Sequence, residues 1–386
     1  NTTTYQYDLR DRLIRETKLD GGIITYEYDL AGNRTAITDA NGNITTFTYD
    51  SLNRLTELRT PNSELTAYTY DSEGNMTSMT IRDSSNNVLT SETYTYDIYN
   101  RLIRTTHLDG TYTEQTYDAL GNVLTKKDEN GNIMTFTYDA LNRLLSVNDP
   151  NTKVTSYTYD RRNNLKTVTD ANSNITTYNY DSLNRLISTI SPDTGTTTYS
   201  YDANGNMITK ADASNITTTY VYDALNRQIT IQFPDITQNI NYYYDDPQNQ
   251  NSKGRPTSMT DPSGTTWYDY DKMGRVTMET KKINNLYYRT EYTYDLNGNL
   301  ASITYPGGRK ITYTYNQLNK ATSIVETYLG VTRTLASNIA YQPFGDIISM
   351  TYGNSIVTTK TYNNRYQLNN LTVGTLKQFS YTRDNT

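Results

Sequence analysis

Thr45-Thr46-Phe47-Thr48-Tyr49-Asp50-Ser51-Leu52-Asn53-Arg54-Leu55 is one copy of a pattern that recurs along most of the 386 residues. Tyr-Asp pairs run from Tyr7-Asp8 to Tyr294-Asp295 in 14 copies, most of them 21 residues apart. A fixed period of this length is the signature of a repeat architecture, in which one supersecondary unit stacks on the next. Within the copy, Thr and aromatic residues alternate, so Phe47 and Tyr49 share one face and Thr46 and Thr48 the other. That is the period-2 pattern of a β-strand. The residue two before the Tyr is aromatic in 13 of the 14 copies, Gln115 being the exception. Paired rings are therefore a rule of the unit.

The Asp opens a turn. Three residues later stands Gly, Asn or Asp, as at Gly32, Asn53, Asn142, Asn184 and Asp11, with only the copy at Asp245 departing. These residues tolerate a left-handed backbone, and an Asp side chain can hold a turn by bonding to backbone two residues on. The second strand ends at another turn signal, Asn-Gly in Asp39-Ala40-Asn41-Gly42-Asn43 and Asp128-Glu129-Asn130-Gly131-Asn132. Each repeat thus predicts two antiparallel strands of roughly six residues, about 20 Å long. The Tyr-Asp turn alternates between a Gly-Asn form (Gly32-Asn33, Gly121-Asn122) and a Leu-Asn-Arg form (Leu52-Asn53-Arg54, Leu141-Asn142-Arg143, Leu183-Asn184-Arg185), giving a 42-residue super-period.

Ordering one 21-residue unit costs on the order of 20–40 kcal/mol of backbone entropy, while each buried aromatic returns only a few kcal/mol. No unit stands alone, and neighbours must share aromatic ladders and backbone hydrogen bonds. Nearly 40 short strands cannot stay flat, because twisted sheets rarely exceed about 10 strands without curling. The expected fold is all-β: a continuous antiparallel sheet of repeated hairpins curled into a spiral shell or hollow barrel. Residues 1–315 carry the regular repeats, and 316–386 carry looser late ones such as Tyr341-Gln342-Pro343-Phe344-Gly345 and Tyr362-Asn363. Insertions fall at hairpin tips, at Arg82 to Asn87 and across Asp246 to Gly254.

The 39 tyrosines dominate a hydrophobic content of 35%, which predicts a core built largely from Tyr. The absence of cysteine excludes disulfides and thiolate chemistry. No run approaches the ~18 apolar residues of a membrane helix. A net charge of −6 supplies no basic face for nucleic acid. The first residues fall on the closing half of a repeat, so the chain reads as a segment of a longer protein.

Tyr-Asp-x-Leu-Asn-Arg-Leu (Tyr49 to Leu55, Tyr138 to Leu144, Tyr180 to Leu186) and Tyr-Asp-x-x-Gly-Asn (Tyr28 to Asn33, Tyr117 to Asn122) resemble the RHS/YD-repeat family. Its members include bacterial polymorphic toxins, wall-associated proteins, insecticidal toxin-complex subunits and teneurins. The resemblance implies a secreted or cell-surface protein whose repeats wind into a shell around a toxic domain. That domain would be an encapsulated or appended part of the same longer polypeptide. It also implies a plug-like core after the repeats, which these residues lack, so cleavage and toxicity are not assigned to them.

Catalytic, metal and cofactor residues are not expected. Asp50, Asp139 and Asp181 recur at one turn position, whereas a catalytic pair is needed only once. The residues singled out are the structural repeat positions Tyr28, Asp29, Gly32, Phe47, Tyr49, Asp50, Asn53, Arg54, Tyr138, Asp139, Asn142, Arg143, Tyr180, Asp181, Asn184 and Arg185. Asp and Arg four apart are expected to bridge the turn. Asp39-x-Asn41-x-Asn43 spaces oxygens as a calcium loop does, but its Gly is fourth rather than sixth and no Glu closes it, so it reads as a hairpin turn. His107, the only histidine, reads as a solvated strand position and Trp267, the only tryptophan, as shell packing. The function expected is a non-enzymatic shell segment enclosing or displaying another domain. The alternative is a surface adhesin or structural element that binds carbohydrate or a receptor on a neighbouring cell.

Overall fold

The computed structural model describes residues 2–343 and 345–382. Phe344, in the loose stretch after Tyr341, and residues 383–386 lie outside the described residues. Among the described residues the chain is all-β, with 35 strands in one antiparallel sheet. Among the described residues a single 3₁₀ turn, Ile236–Gln238, interrupts the series and is capped by Asp235, whose carboxylate accepts from the Thr237 amide. Among the described residues no helix is long and apolar enough to cross a membrane.

The Thr/aromatic alternation forms the strands expected of it. Ile44–Tyr49 pairs antiparallel with Leu55–Arg59, placing Phe47 opposite Leu58 and Tyr49 opposite Leu55. The register slips by one residue between Thr48 and Tyr49. The same slip recurs before Tyr28, Tyr138, Tyr159, Tyr180, Tyr201 and Tyr222. It is a β-bulge in each repeat, always at the Tyr-Asp end, and a bulge bends its strand and sharpens the right-handed twist. Curvature is thus built into the repeat at one edge.

The chain divides into two compact units. The first comprises Asn1–Thr113, Tyr270–Met278 and Arg289–Thr386, and the second Glu114–Asp269 and Glu279–Tyr288. Inside each, a strand pairs with its sequence neighbour, as from Thr4–Tyr7 to Ile23–Tyr28 in the first and from Ile133–Tyr138 to Leu165–Thr169 in the second. Both insertions lie at hairpin ends. Met76–Arg82 and Val88–Tyr96 make a longer hairpin tipped by an Asp83 turn, and Asp246 to Gly254 form a loop between Ile240–Tyr244 and Pro256–Asp261.

The rings are placed differently from a buried tyrosine core. Among the described residues the buried apolar side chains are Ala36, Leu65, Ile311, Ala336 and Ile339, while Phe47, Tyr138 and Tyr180 are half-buried. Among the described residues rings meet at Trp267 and Tyr287, with centroids 6.2 Å apart. In many repeats the cross-strand partner of the ring is aliphatic, as in Tyr26 opposite Ile37 and Tyr157 opposite Val168, and in others it is polar, as in Tyr178 opposite Thr189 and Tyr199 opposite Lys210. Where the turn carries an arginine, its guanidinium lies over a ring of the next repeat, as Arg12 over Tyr28 at 4.7 Å and Arg143 over Tyr159 at 4.6 Å.

Candidate functional site

The repeated element that carries the chemistry of this chain is the Tyr-Asp turn. In the copy at Asp50, the Asp50 amide donates to the Arg54 carbonyl at 2.9 Å and the Asn53 amide to the Asp50 carbonyl at 3.0 Å. Closing so tightly sets Asn53 at φ 62°, Asn142 at 60° and Asn184 at 62°, while Gly32 takes 98° in the other form. L-residues other than Asn and Asp resist this region, because Cβ crowds the neighbouring carbonyl. The carboxylate then satisfies the turn's donors. Asp50 Oδ1 accepts from the Leu52 and Arg54 amides, each at 2.9 Å, and Oδ2 from Arg54 Nε at 2.7 Å. Asp139 with Arg143 and Asp181 with Arg185 repeat the arrangement, both Nε–Oδ2 contacts being 2.7 Å.

Donors aimed at a carboxylate stabilise its charged form. The Arg12 side chain is the first cause holding Asp8 down, from 3.8 to about 2. Asp139 is lowered chiefly by the Arg143 side chain, Asp50 and Asp181 chiefly by the backbone amides of Arg54 and Arg185, and Asp29 chiefly by the Asn33 side chain. Tyr138 and Tyr180 are raised, first by burial.

The structure also ties each turn to the next repeat, which the sequence reading did not foresee. Arg54 Nη1 donates to the Asp71 carbonyl at 2.8 Å while its guanidinium lies 4.8 Å from the Tyr70 ring centroid. The Tyr70 hydroxyl donates back to the Leu55 carbonyl at 2.8 Å. Arg185, Asp202 and Tyr201 form the same triangle, with Arg185 to the Asp202 carbonyl at 2.9 Å, the ring at 4.8 Å and Tyr201 to the Leu186 carbonyl at 2.7 Å. In the Gly-Asn form Asn33 replaces the arginine. Its Nδ2 donates to Asp29 Oδ2 at 2.9 Å and to Asn53 Oδ1 in the next turn at 2.7 Å. Asn122 reaches Asn142 and Asn164 reaches Asn184 in the same way. This explains the 42-residue alternation: a Gly-Asn turn hands its amide to the left-handed Asn of the following turn, whose Arg then grips the turn beyond. One signal could have revealed it, since Arg12, Arg54, Arg143 and Arg185 each precede a repeat Tyr by 16 residues.

The opposite edge uses the same device. Asp39 Oδ1 accepts from the Asn41 and Asn43 amides at 3.0 and 2.8 Å, and Asp128 Oδ1 accepts from Asn130 and Asn132 at 3.0 and 2.8 Å. The calcium-like spacing is accounted for by these amides. In the first unit this edge meets Tyr-Asp turns from far along the chain. Asn297 Nδ2 donates to Asp39 Oδ2 at 2.7 Å, Asn41 Nδ2 to Asp295 Oδ2 at 3.1 Å, Arg275 Nη2 to Asp20 Oδ2 at 3.1 Å and Arg365 Nε to Asp109 Oδ2 at 3.2 Å. All four pairs are 254 to 258 residues apart, about twelve repeat lengths.

His107 is not a solvated strand residue. Its side chain is 14% exposed, with Nδ1 3.3 Å from Glu92 Oε1 on the adjacent strand. Trp267 packs on Tyr287 but keeps an exposed edge.

A family model described as Teneurin YD-shell matches residues 1–172 and 132–253, and one described as RHS Repeat matches 251–282 and 289–328. Among solved structures, the crystal structure of TcdB2-TccC3-Cdc42 is 13% identical with a TM-score of 0.64. The Photorhabdus luminescens Tc holotoxin pore is 13% identical with a TM-score of 0.60. Each alignment covers 99% of this chain and 30% of the other, so the chain spans under a third of those proteins, and the likeness is one of fold. No curated protein matches the sequence.

Proposed function

We propose that this chain, which belongs to the Teneurin YD-shell family, is a length of wall in a larger secreted or surface-displayed protein, enclosing or holding a toxin-like domain of the same polypeptide. A structural shell role follows from the family; the enclosed domain, the secretion and the lack of catalysis are the proposal. The observation that supports it best is the turn-on-turn seam of the first unit, where Asp20, Asp39 and Asp109 receive Arg275, Asn297 and Arg365. A sheet whose turn edges bond to one another presents fewer free polar groups, which is what a barrier between cargo and solvent needs. The carboxylates that would otherwise suggest hydrolysis are engaged, each accepting turn amides and an Arg or Asn side chain.

The test is protease protection in the full-length protein. A domain held within the wall should be cleaved far more slowly than the same domain expressed alone. Equal cleavage rates with the wall folded would refute enclosure. A second reading, an adhesin contacting sugars or another cell, is favoured by Trp267 and Tyr287, whose partly exposed rings meet on the second unit.

A further inference from the structure

Repeats advertise function where they break their own rule. The turn from Tyr305 to Arg309 closes like the others, the Tyr305 amide donating to the Arg309 carbonyl at 2.8 Å and the Gly308 amide to the Tyr305 carbonyl at 3.0 Å. Yet tyrosine stands where the Asp would be. Arg309, four residues on, therefore has no turn carboxylate to grip. Its Nε instead lies 3.2 Å from Oε1 of Glu326, across the strand pair Lys310–Tyr315 and Ala321–Tyr328. Glu326 is a second departure. It stands opposite the buried Ile311, and its side chain is 5% exposed. From the far side Arg333 Nε donates to Glu326 Oε2.

One buried carboxylate between two guanidiniums leaves one net positive charge. Both arginines stay more than half exposed, and the carboxylate anchors each through Nε. The Nη groups of both make no hydrogen bond among the described residues, so two oriented forks of N–H donors face the solvent. A planar fork of this kind matches a carboxylate or another oxyanion. These groups line an open cleft with Tyr305, Tyr328 and Leu335. The rings of Tyr305 and Tyr328 are 42% and 38% exposed, and Arg309 sits 5.6 Å from the Tyr328 centroid. Tyr328 stands at the tip of a hairpin, Ala321–Tyr328 with Val331–Tyr341, whose two-residue turn holds Leu329 at φ 49° and Gly330 at 77°. That tight turn fixes the direction of the ring.

We infer that this cleft is a binding site for an acidic saccharide: the sugar carboxylate would dock on the Arg309 and Arg333 forks, and the C–H face of the pyranose would lie against Tyr305 and Tyr328. A bare inorganic anion would leave both rings unused, and a neutral sugar would leave both forks unused. The inference does not depend on the shell reading, since it concerns one surface of the first unit.

The experiment is calorimetric titration of the chain with an oligoglucuronate, the matching neutral gluco-oligosaccharide and inorganic sulfate. The oligoglucuronate should bind with a dissociation constant of about 0.1–1 mM, and the other two about tenfold or more weakly. Arg333→Leu and Tyr328→Ala should each weaken it about tenfold with an unchanged circular dichroism spectrum. Arg309→Lys, which keeps the charge without the fork, should also lose affinity and serves where Arg333→Leu does not fold. Absence of uronate binding overturns the inference. So does equal affinity for the neutral sugar or for sulfate, and so do folded variants that bind like the unaltered chain.

Discussion

Removing the hydroxyl of Tyr201 tests whether the cross-repeat triangle holds the sheet together. Tyr201→Phe deletes the donor to the Leu186 carbonyl at 2.7 Å and leaves the ring under Arg185, whose guanidinium lies 4.8 Å from its centroid. A neutral hydrogen bond of this kind contributes about 0.5–1.5 kcal/mol net. Tyr201→Leu also removes the ring beneath the guanidinium, adding about 0.5–1 kcal/mol at a partly exposed site. Stability in a repeat array is nearly a sum of unit and nearest-neighbour terms, so the loss should stay local. Amide hydrogen exchange reads it directly, because local opening free energies appear residue by residue. Protection in Leu186–Ser191 and Gly195–Tyr201 should fall about fivefold in Tyr201→Phe, the factor for 1 kcal/mol. Ile23–Tyr28, eight repeats away, should be unchanged. Phe substitutions at Tyr70, Tyr159 and Tyr201 together should add nearly linearly, the sites being far apart. Unchanged protection near residue 201, or a loss spread evenly over the chain, would show that the triangle does not couple adjacent repeats.

Further outcomes follow from the turns. Asn142→Ala places a Cβ-bearing residue without a compensating side chain at φ 60° and should cost about 1–2 kcal/mol, part of it regained by Asn142→Gly, as denaturant melts would show. The turn aspartates are depressed in the folded state, so the stability they contribute is complete above their unfolded value near 3.8 and is lost as pH falls toward the folded value, about 2 for Asp8. Acid titration by circular dichroism should therefore show loss of structure beginning below about pH 4, and a chain equally stable at pH 5 and pH 2 would contradict the assignment. Gly264 has φ 137° and a Cβ there would overlap the Lys282 carbonyl, so Gly264→Ala should destabilise by at least about 1–3 kcal/mol. In contrast Gly307→Ala, with open space around it, should cost only the strain of its positive φ.

Particular residues show how far the chain could be read before its structure. Asp50 and Arg54 were legible as a turn pair because both groups lie within five residues, where local geometry leaves little choice. The further reach of Arg54 to Asp71 and Tyr70 was hidden, because it depends on a bulge that slips the register before each repeat Tyr. His107 looked like a solvated strand position, since alternation says which side a residue faces but not what the next strand puts there; Glu92 decided it. Glu326 with Arg309 and Arg333 carries no periodic signal, being a departure from the repeat rather than an instance of it.

Periodicity by itself determined the strands, the Asp-held turns and their left-handed Asn or Gly, since each is a local consequence of alternation and of side chains within a few residues. The half-buried setting of the rings, the arginine clasped between one repeat and the next, and the pairing of Asp39 with Asn297 were decided only in three dimensions. Each contact joins residues that lie apart in the chain, one repeat for the arginine clasp and about twelve repeats for Asp39 and Asn297. A contact whose two halves are read from different stretches is encoded by neither stretch alone.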